Sequence, residues 1–316
     1  MSFIFNLIKP CLFPINNILT MATKNFSKDS QPPKISGVAS LTENIKAFFG
    51  SFPKIIISAV CWYYIFPLTK CINYEIDWIL HVVLRDLAIM WFLGGTWDLI
   101  LYWPKSPFFK SLMAVKFNKE YPSWDLFKFC IFWSNASSLV GSIIQIIYLH
   151  LLARNILPQT SELFTVNTFI WILTLNYWRI SHFYFIHRFM HPWKTKYIPD
   201  FGKILYQLVH SLHHKSYNPT AWSGVSMHPV ESFLYYTVSF IPISLGAHPI
   251  IIMIAIHDAT LGAMWGHDGF GEPGSASYGH YLHHKLFDCN YGENYFPLDW
   301  YFGSFCGEEI LTNKDD

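Results

Sequence analysis

The chain has 316 residues, of which 52% are hydrophobic, 19% aromatic and only 14% charged, with a formal net charge of +1. Ordinary soluble domains are about one quarter charged, so this composition excludes a typical soluble globule and points to a membrane protein. Near-neutral charge gives no reason to expect nucleic acid as a partner. Six scattered cysteines (Cys11, Cys61, Cys71, Cys130, Cys289, Cys306) lack the pair spacing of a disulfide framework or a zinc ribbon.

The opening "MSFIFNLIKPCLFPINN" is apolar but broken at Lys9-Pro10, and it lacks the basic start and small-residue cleavage site of a signal peptide. Residues 21–45, rich in Ser, Lys, Pro and Asn, read as a loose segment, so 1–49 is expected to be a cytosolic lead-in. Crossing the hydrocarbon core takes about 20 mostly apolar helical residues. Four stretches come close, at roughly 50–69, 78–103, 129–153 and 164–186. A fifth, about 232–265, holds Pro242, Gly246 and Pro249 near its middle and suits a re-entrant hairpin or two short helices.

Basic residues orient these segments. Lys24, Lys28, Lys34, Lys46 and Lys54 precede or open the first; Lys105, Lys110, Lys116 and Lys119 lie between the second and third; Arg188, Lys194, Lys196, Lys203 and Lys215 follow the fourth. The intervening loops hold only Lys70 and Arg154, an alternation that fits four crossings with both termini cytosolic. The expected fold is therefore all-α: a membrane bundle of about four spanning helices plus a re-entrant or interfacial hairpin, under a cytosolic histidine-rich helical cap. Residues 50–129 form its first hairpin and loop, 130–306 its catalytic domain and 307–316 a tail.

Thirteen of the fifteen histidines fall between 182 and 284, eight of them in three clusters: "HRFMH" (His187, His191), "HSLHH" (His210, His213, His214) and "HYLHH" (His280, His283, His284). Helix positions i, i+3 and i+4 share a face, so each cluster is expected to aim its imidazoles at one point. One histidine on an apolar helix is usually a satisfied core residue. Eight buried together without a shared partner would leave unsatisfied nitrogens costing about 1–3 kcal/mol each, which a metal removes. Eight nitrogens exceed what one tetrahedral zinc uses, so two ions are implied; imidazole suits iron, copper and zinc alike, and the absence of HExxH argues against a common zinc protease.

These clusters are similar to the histidine boxes HxxxH, HxxHH and HxxHH of the membrane sterol desaturase / fatty acid hydroxylase superfamily. The resemblance extends through "HHKSYNPTAWSGVSMHPVE", "GHDGF" and "HHKLFDCNYGENYFPLDWYFGSF", and covers about residues 130–306. It implies a non-haem di-iron oxidoreductase of the endoplasmic-reticulum membrane that uses O2 and electrons from cytochrome b5 and its reductase. Carried over position by position, the metal ligands are His187, His191, His210, His213, His214, His280, His283 and His284, with His267 of "GHDGF" as a ninth. His228 reads as structural or as a support for the ligand rings, and Glu231, Asp258, Asp268 and Asp288 are candidates for holding the outer ring N–H groups. His257 is placed beside the site, and His81, His150, His182 and His248 read as ordinary polar residues. Trp222, Tyr235, Tyr236, Trp265 and Tyr281 are candidates for a lipid slot, and the glycines and prolines of 266–274 for a loop at its entrance.

"HPVE" and "NYGENYFPLDWYFGSF" look most similar to the C-5 sterol desaturase branch, although Leu298-Asp299-Trp300-Tyr301 sets the acid before the tryptophan, unlike that branch. A sterol substrate is expected, and no fused cytochrome b5 segment is seen. Fatty-acid, sphingolipid or alkylglycerol hydroxylation is the alternative. A metal transporter would want ligands at the bilayer midplane instead of at span ends. A non-catalytic lipid-binding protein is the third class considered.

Overall fold

A computed structural model describes residues 38–42, 44–45, 52–63, 68–102, 121–158, 162–193, 197–216, 219–269 and 276–307. Most of the lead-in, Lys24, Lys28, Lys34 and Lys46, the four lysines of the 103–120 connection, Lys194 and Lys196, residues 270–275 and the tail beyond 307 lie outside them. Among the described residues every regular element is helical and there is no strand.

The first predicted span appears as α1 (Phe52–Tyr63). The second is a rod in three parts: α2 (Ile76–Ile89), a π-turn (Met90–Gly95) and α3 (Thr96–Tyr102). A π-turn inserts one extra residue per turn and re-aims the helix. Gly94 shows why it is tolerated here. A Cβ at this position would fall 2.4 Å from Met264 Sδ, so the glycine leaves room for that side chain of a neighbouring helix.

α4 (Trp124–Ala153) is 30 residues long and is capped by Ser123, whose hydroxyl accepts from Leu126 N at 3.3 Å. Its two faces invert the soluble pattern: Phe132, Leu139, Ile143 and Ile147 are exposed, while Ser134, Ser137, Ser138, Ser142 and Gln145 are buried. Ser142 and Gln145 donate to Asp86 of α2 at 2.9 and 2.6 Å. Small and polar inside with apolar outside is what a lipid-facing helix shows, because lipid supplies no hydrogen bonds and small side chains let helices approach. Gly141 makes such an approach, with the Tyr236 ring 3.1 Å from where its Cβ would stand.

α5 (Val166–Phe189) covers the fourth predicted span, yet it carries Asn167, Asn176, Arg179 and His182 along its length. After it come α6 (Phe201–Leu208), a 3-10 turn (His210–Lys215) and a second 3-10 turn (Ala221–Ser223). The 232–265 region resolves into α7 (Pro229–Tyr236), a 3-10 turn (Thr237–Ser239), the short α8 (Phe240–Ser244) and then one continuous helix, α9 (Pro249–Gly266). Gly246, at φ +65°, makes the bend, and Pro249 with the capping ring of His248 starts α9. The predicted break is present, but beyond it runs a full helix of 18 residues, about 27 Å at 1.5 Å per residue.

Among the described residues α4 and α9 are long and apolar enough to cross a membrane. α9 is buried on all sides and packs against α1, α5 and the π-turn, so it is the axis of the bundle. The main core runs along it, joining Ile251, Ile252, Ala255 and Ala259 to Tyr148, Leu152, Trp171, Leu175 and Tyr236. α10 (Ala276–Leu286) and α11 (Leu298–Phe302) close the described chain.

Candidate metal centre

Nine buried histidines converge in two groups, within each of which the ligand-capable nitrogens lie within 4.8 Å of one another. The first holds His187, His191, His210, His214 and His283; the second holds His213, His267, His280 and His284. Most come from element ends. His187 is in the last turn of α5, and His191 follows it just before Pro192; His267 ends α9; His280, His283 and His284 lie on α10.

The expectation that each cluster aims at one point is corrected by this arrangement. The second cluster sends His210 and His214 to one group and His213 to the other, and the third sends His283 to one and His280 with His284 to the other. Adjacent helical residues point about 100° apart, so the two last histidines of an HxxHH run must diverge. The ring planes of His213 and His214 differ by 76°, and those of His283 and His284 by 81°. An HxxHH run thus bridges two points instead of closing around one.

The outer ring nitrogens decide what the inner ones can do. His187 Nδ1 donates to the Tyr291 carbonyl at 2.7 Å, His283 Nδ1 to the Cys289 carbonyl at 2.6 Å, His267 Nδ1 to the Ala263 carbonyl at 2.7 Å and His213 Nδ1 to the Ser226 carbonyl at 3.4 Å. A carbonyl only accepts, so in a neutral ring Nε2 is left with its lone pair. The Nε2 atoms of His213 and His267 are nonetheless 3.2 Å apart. Two lone pairs at that distance repel with no proton between them, and a shared cation turns the repulsion into ligation. The donor set therefore fits two metal ions, one beside five imidazoles and one beside four.

Burial keeps the rings neutral. It lowers His213 to about 4 and His267 to about 3, and it holds His210, His214, His280, His283 and His284 well below the usual range. Neighbouring imidazoles add to the effect at His210, His214, His280 and His284. Neutral imidazole is the form that ligates.

Of the four candidate acids, Glu231 reaches the rings, its Oε1 2.7 Å from His210 Nδ1. Asp258 instead pairs with Lys54 and Arg179, because it projects from α9 toward α1 and α5. Asp268 accepts from Trp97 Nε1 at 2.9 Å, and Asp288 stands on the bend after α10. His228 caps α7 through Val230 N, and His257 bonds Ser58 Oγ at 2.9 Å; neither belongs to the two groups. Of the proposed slot aromatics, Tyr235 and Trp265 line the cavity beside the histidines, whereas Trp222 packs against Trp91 and Tyr236 bonds Thr260.

Asp299 carries no signal in the sequence that would place it at the site. Buried, with its carboxyl raised to about 6 by desolvation, it accepts from Tyr291 N at 2.8 Å, Gly292 N at 2.6 Å and Ser304 Oγ at 2.6 Å. It thereby fixes the 289–292 turn, whose Cys289 and Tyr291 carbonyls orient His283 and His187.

Residues 170–304 match the fatty acid hydroxylase family. Among curated proteins the chain is 29% identical over 133 residues to a Delta(7)-sterol 5(6)-desaturase of Gibberella zeae, covering 38% of this chain and 37% of that one. It is 29% identical over 159 residues to a sphinganine C4-monooxygenase of Arabidopsis thaliana (46% and 55%), and 30% over 148 residues to a methylsterol monooxygenase of the same plant (42% and 52%). The matched segments thus span about two fifths to about one half of these relatives' length. No solved structure matches the chain at the same level of significance. With its histidine boxes gathered by the fold, the segment from α5 to the turn after α11 is similar to the fatty acid hydroxylase family over residues 170–304.

Proposed function

We propose that the chain is a membrane oxidoreductase that holds two iron ions and uses O2 to desaturate or hydroxylate a lipid, a sterol before other classes. The observation that carries this reading is the convergence of nine buried imidazoles in two groups, with the Nε2 lone pairs of His213 and His267 only 3.2 Å apart. In this reading His187, His191, His210, His214 and His283 hold one ion and His213, His267, His280 and His284 the other. Bound there, iron supplies the oxidising power drawn from O2 that acid–base side chains lack for breaking an unactivated C–H bond.

The chain's own residues do the rest. The Tyr291, Cys289, Ala263 and Ser226 carbonyls hold four rings in the ligating tautomer, and Glu231 holds a fifth through His210. A cavity of about 250 Å³ touches His187, His210, His213, His267 and His280 and carries Phe183, Ile186, Met190 and Met227 on its walls, a lining suited to a hydrocarbon and hostile to bulk water. The sterol reading is supported by the Delta(7)-sterol 5(6)-desaturase and methylsterol monooxygenase relatives. A sphingoid substrate is the second reading, favoured by the sphinganine C4-monooxygenase match over 159 residues. Cytochrome b5 with its reductase as electron donor, the endoplasmic reticulum as location, four crossings and cytosolic termini complete the proposal.

The test is iron content and O2-dependent lipid turnover of the protein purified from membranes. Two irons per chain are expected, and His213→Ala should lose one iron and at least 100-fold of turnover, since one ligand in four is gone. Full-rate oxidation by His213→Ala would defeat the proposal.

A further inference from the structure

The cavity beside the histidines has a second, differently built side. There Lys54, Asn176, Arg179 and Glu293 line it. Arg179 Nη1 donates to Glu293 Oε1 at 2.9 Å and Nη2 to Asn176 Oδ1 at 3.2 Å, while its Nε lies 2.7 Å from Asp258 Oδ2. Lys54 pairs with the other oxygen of Asp258. Four separate stretches meet here: α1 gives Lys54, α5 gives Asn176 and Arg179, α9 gives Asp258, and the turn after α10 gives Glu293.

A structural brace is the simplest reading of such a network, but buried ion pairs seldom stabilise better than apolar residues of the same volume. Three features set this one apart. It faces a cavity that also touches the histidines. Trp265, on the same lining, has a buried indole N–H with no hydrogen-bond partner among the described residues, and Glu231 Oε2 is likewise unpartnered. The charges also cancel, two cations against two carboxylates, and the Glu293 side chain stays partly open. Such a surface repels a carboxylate or phosphate at Glu293, yet it offers an acceptor there and donors at Trp265 and Lys54, which together suit a neutral hydroxyl.

We propose that Lys54, Arg179, Glu293 and Trp265 bind the hydroxyl head of the lipid substrate, so that the carbon presented to the histidines lies within a few bonds of that hydroxyl. This rests on the lipid oxidase reading and adds the substrate's direction. At about 250 Å³ the cavity sits at the small end of the range for ligand pockets, roughly 300–1,000 Å³. It holds a head and its adjoining carbons, not a whole lipid chain. Oxidation therefore falls near the polar end of the molecule and not far along an acyl tail.

The experiment measures binding to the full-length protein in detergent with two matched pairs: a 3-hydroxysterol against its 3-deoxy analogue, and sphinganine against 2-aminooctadecane, which keeps the amine in place and lacks both hydroxyls. Removing the hydroxyl should weaken binding on the order of 10–100-fold in at least one pair, because a buried site built for a hydroxyl leaves its partners unpaired when it is missing. The pair that responds identifies the lipid class. Trp265→Phe, which keeps an aromatic ring and deletes the N–H, and Glu293→Gln should shrink the hydroxyl preference while leaving the deoxy ligand's affinity unchanged. Equal affinity within both pairs, or no binding by any of the four lipids, overturns the assignment. Iron content and turnover of the same preparation separate the two ideas. Turnover without hydroxyl preference removes the head-group site and leaves the oxidase; hydroxyl preference without iron removes the oxidase and leaves the site.

Discussion

Glu231 shows how much a single side chain settles at the site. It is fully buried at the N-terminus of α7, burial raises its carboxyl well above the usual range, and one oxygen meets His210 Nδ1. Removing the outer partner of a ligating histidine typically weakens metal affinity 10–100-fold, because the ring is free to turn and becomes less basic. Glu231→Ala is expected to lose that much in chelator competition. Glu231→Gln, whose amide oxygen still accepts from Nδ1, should fall between the two. Equal iron affinity in all three proteins would show that His210 is oriented by something else. The histidines themselves were legible in the sequence because three box spacings stand out from an apolar background. Asp299 was not, since an isolated acid eight residues from the turn it holds gives no local signal.

Among elements, the close contact between the 220s loop and α9 leaves no room for a side chain. A Cβ on Gly224 would lie 2.2 Å from the Ala263 carbonyl oxygen and 2.4 Å from its carbon, with no flexible side chain to yield. The same strip orients both members of one pair: Ala263 accepts from His267, and Ser226, two residues past Gly224, accepts from His213. Gly224→Ala should therefore cost about 1–3 kcal/mol by overpacking and lower the thermal midpoint. It should also deplete the four-histidine group of metal more than the five-histidine group. Metal titration monitored with the melting curve checks both, and an unchanged melt with full metal binding would contradict the close approach. The π-turn at Met90–Gly95 was invisible beforehand for a related reason: a glycine pair in an apolar run marks a close neighbour without saying which one.

At the scale of the whole molecule, nine neutral buried imidazoles couple stability to pH. His213 titrates at about 4 and His267 at about 3 in the folded protein, against an unfolded value of about 6.5. These folded values are depressed, so as pH falls below about 6.5 the unfolded chain takes up protons that the folded rings refuse. Stability present above that pH is lost as the solution is acidified toward the folded values. Each such ring contributes about 1.4 kcal/mol per pH unit. The metal-free protein should consequently show a steep fall in thermal midpoint between about pH 6.5 and 5. A flat profile across that window would mean that the rings are accessible and protonated when folded.

What the sequence by itself determined was the class of protein and the chemistry of its donors. Low charge, long apolar runs and three histidine boxes survive any rearrangement of the chain, because they depend on residue type and short spacing alone. Only the tertiary structure decided how those donors divide. Adjacent histidines on one helix diverge, so each HxxHH run is shared between two groups, and the partition depends on where the ends of α5, α9 and α10 meet. The same holds for the charged side of the cavity. Lys54, Arg179, Asp258 and Glu293 are far apart in the chain and share no sequence pattern, and only helix packing makes them neighbours.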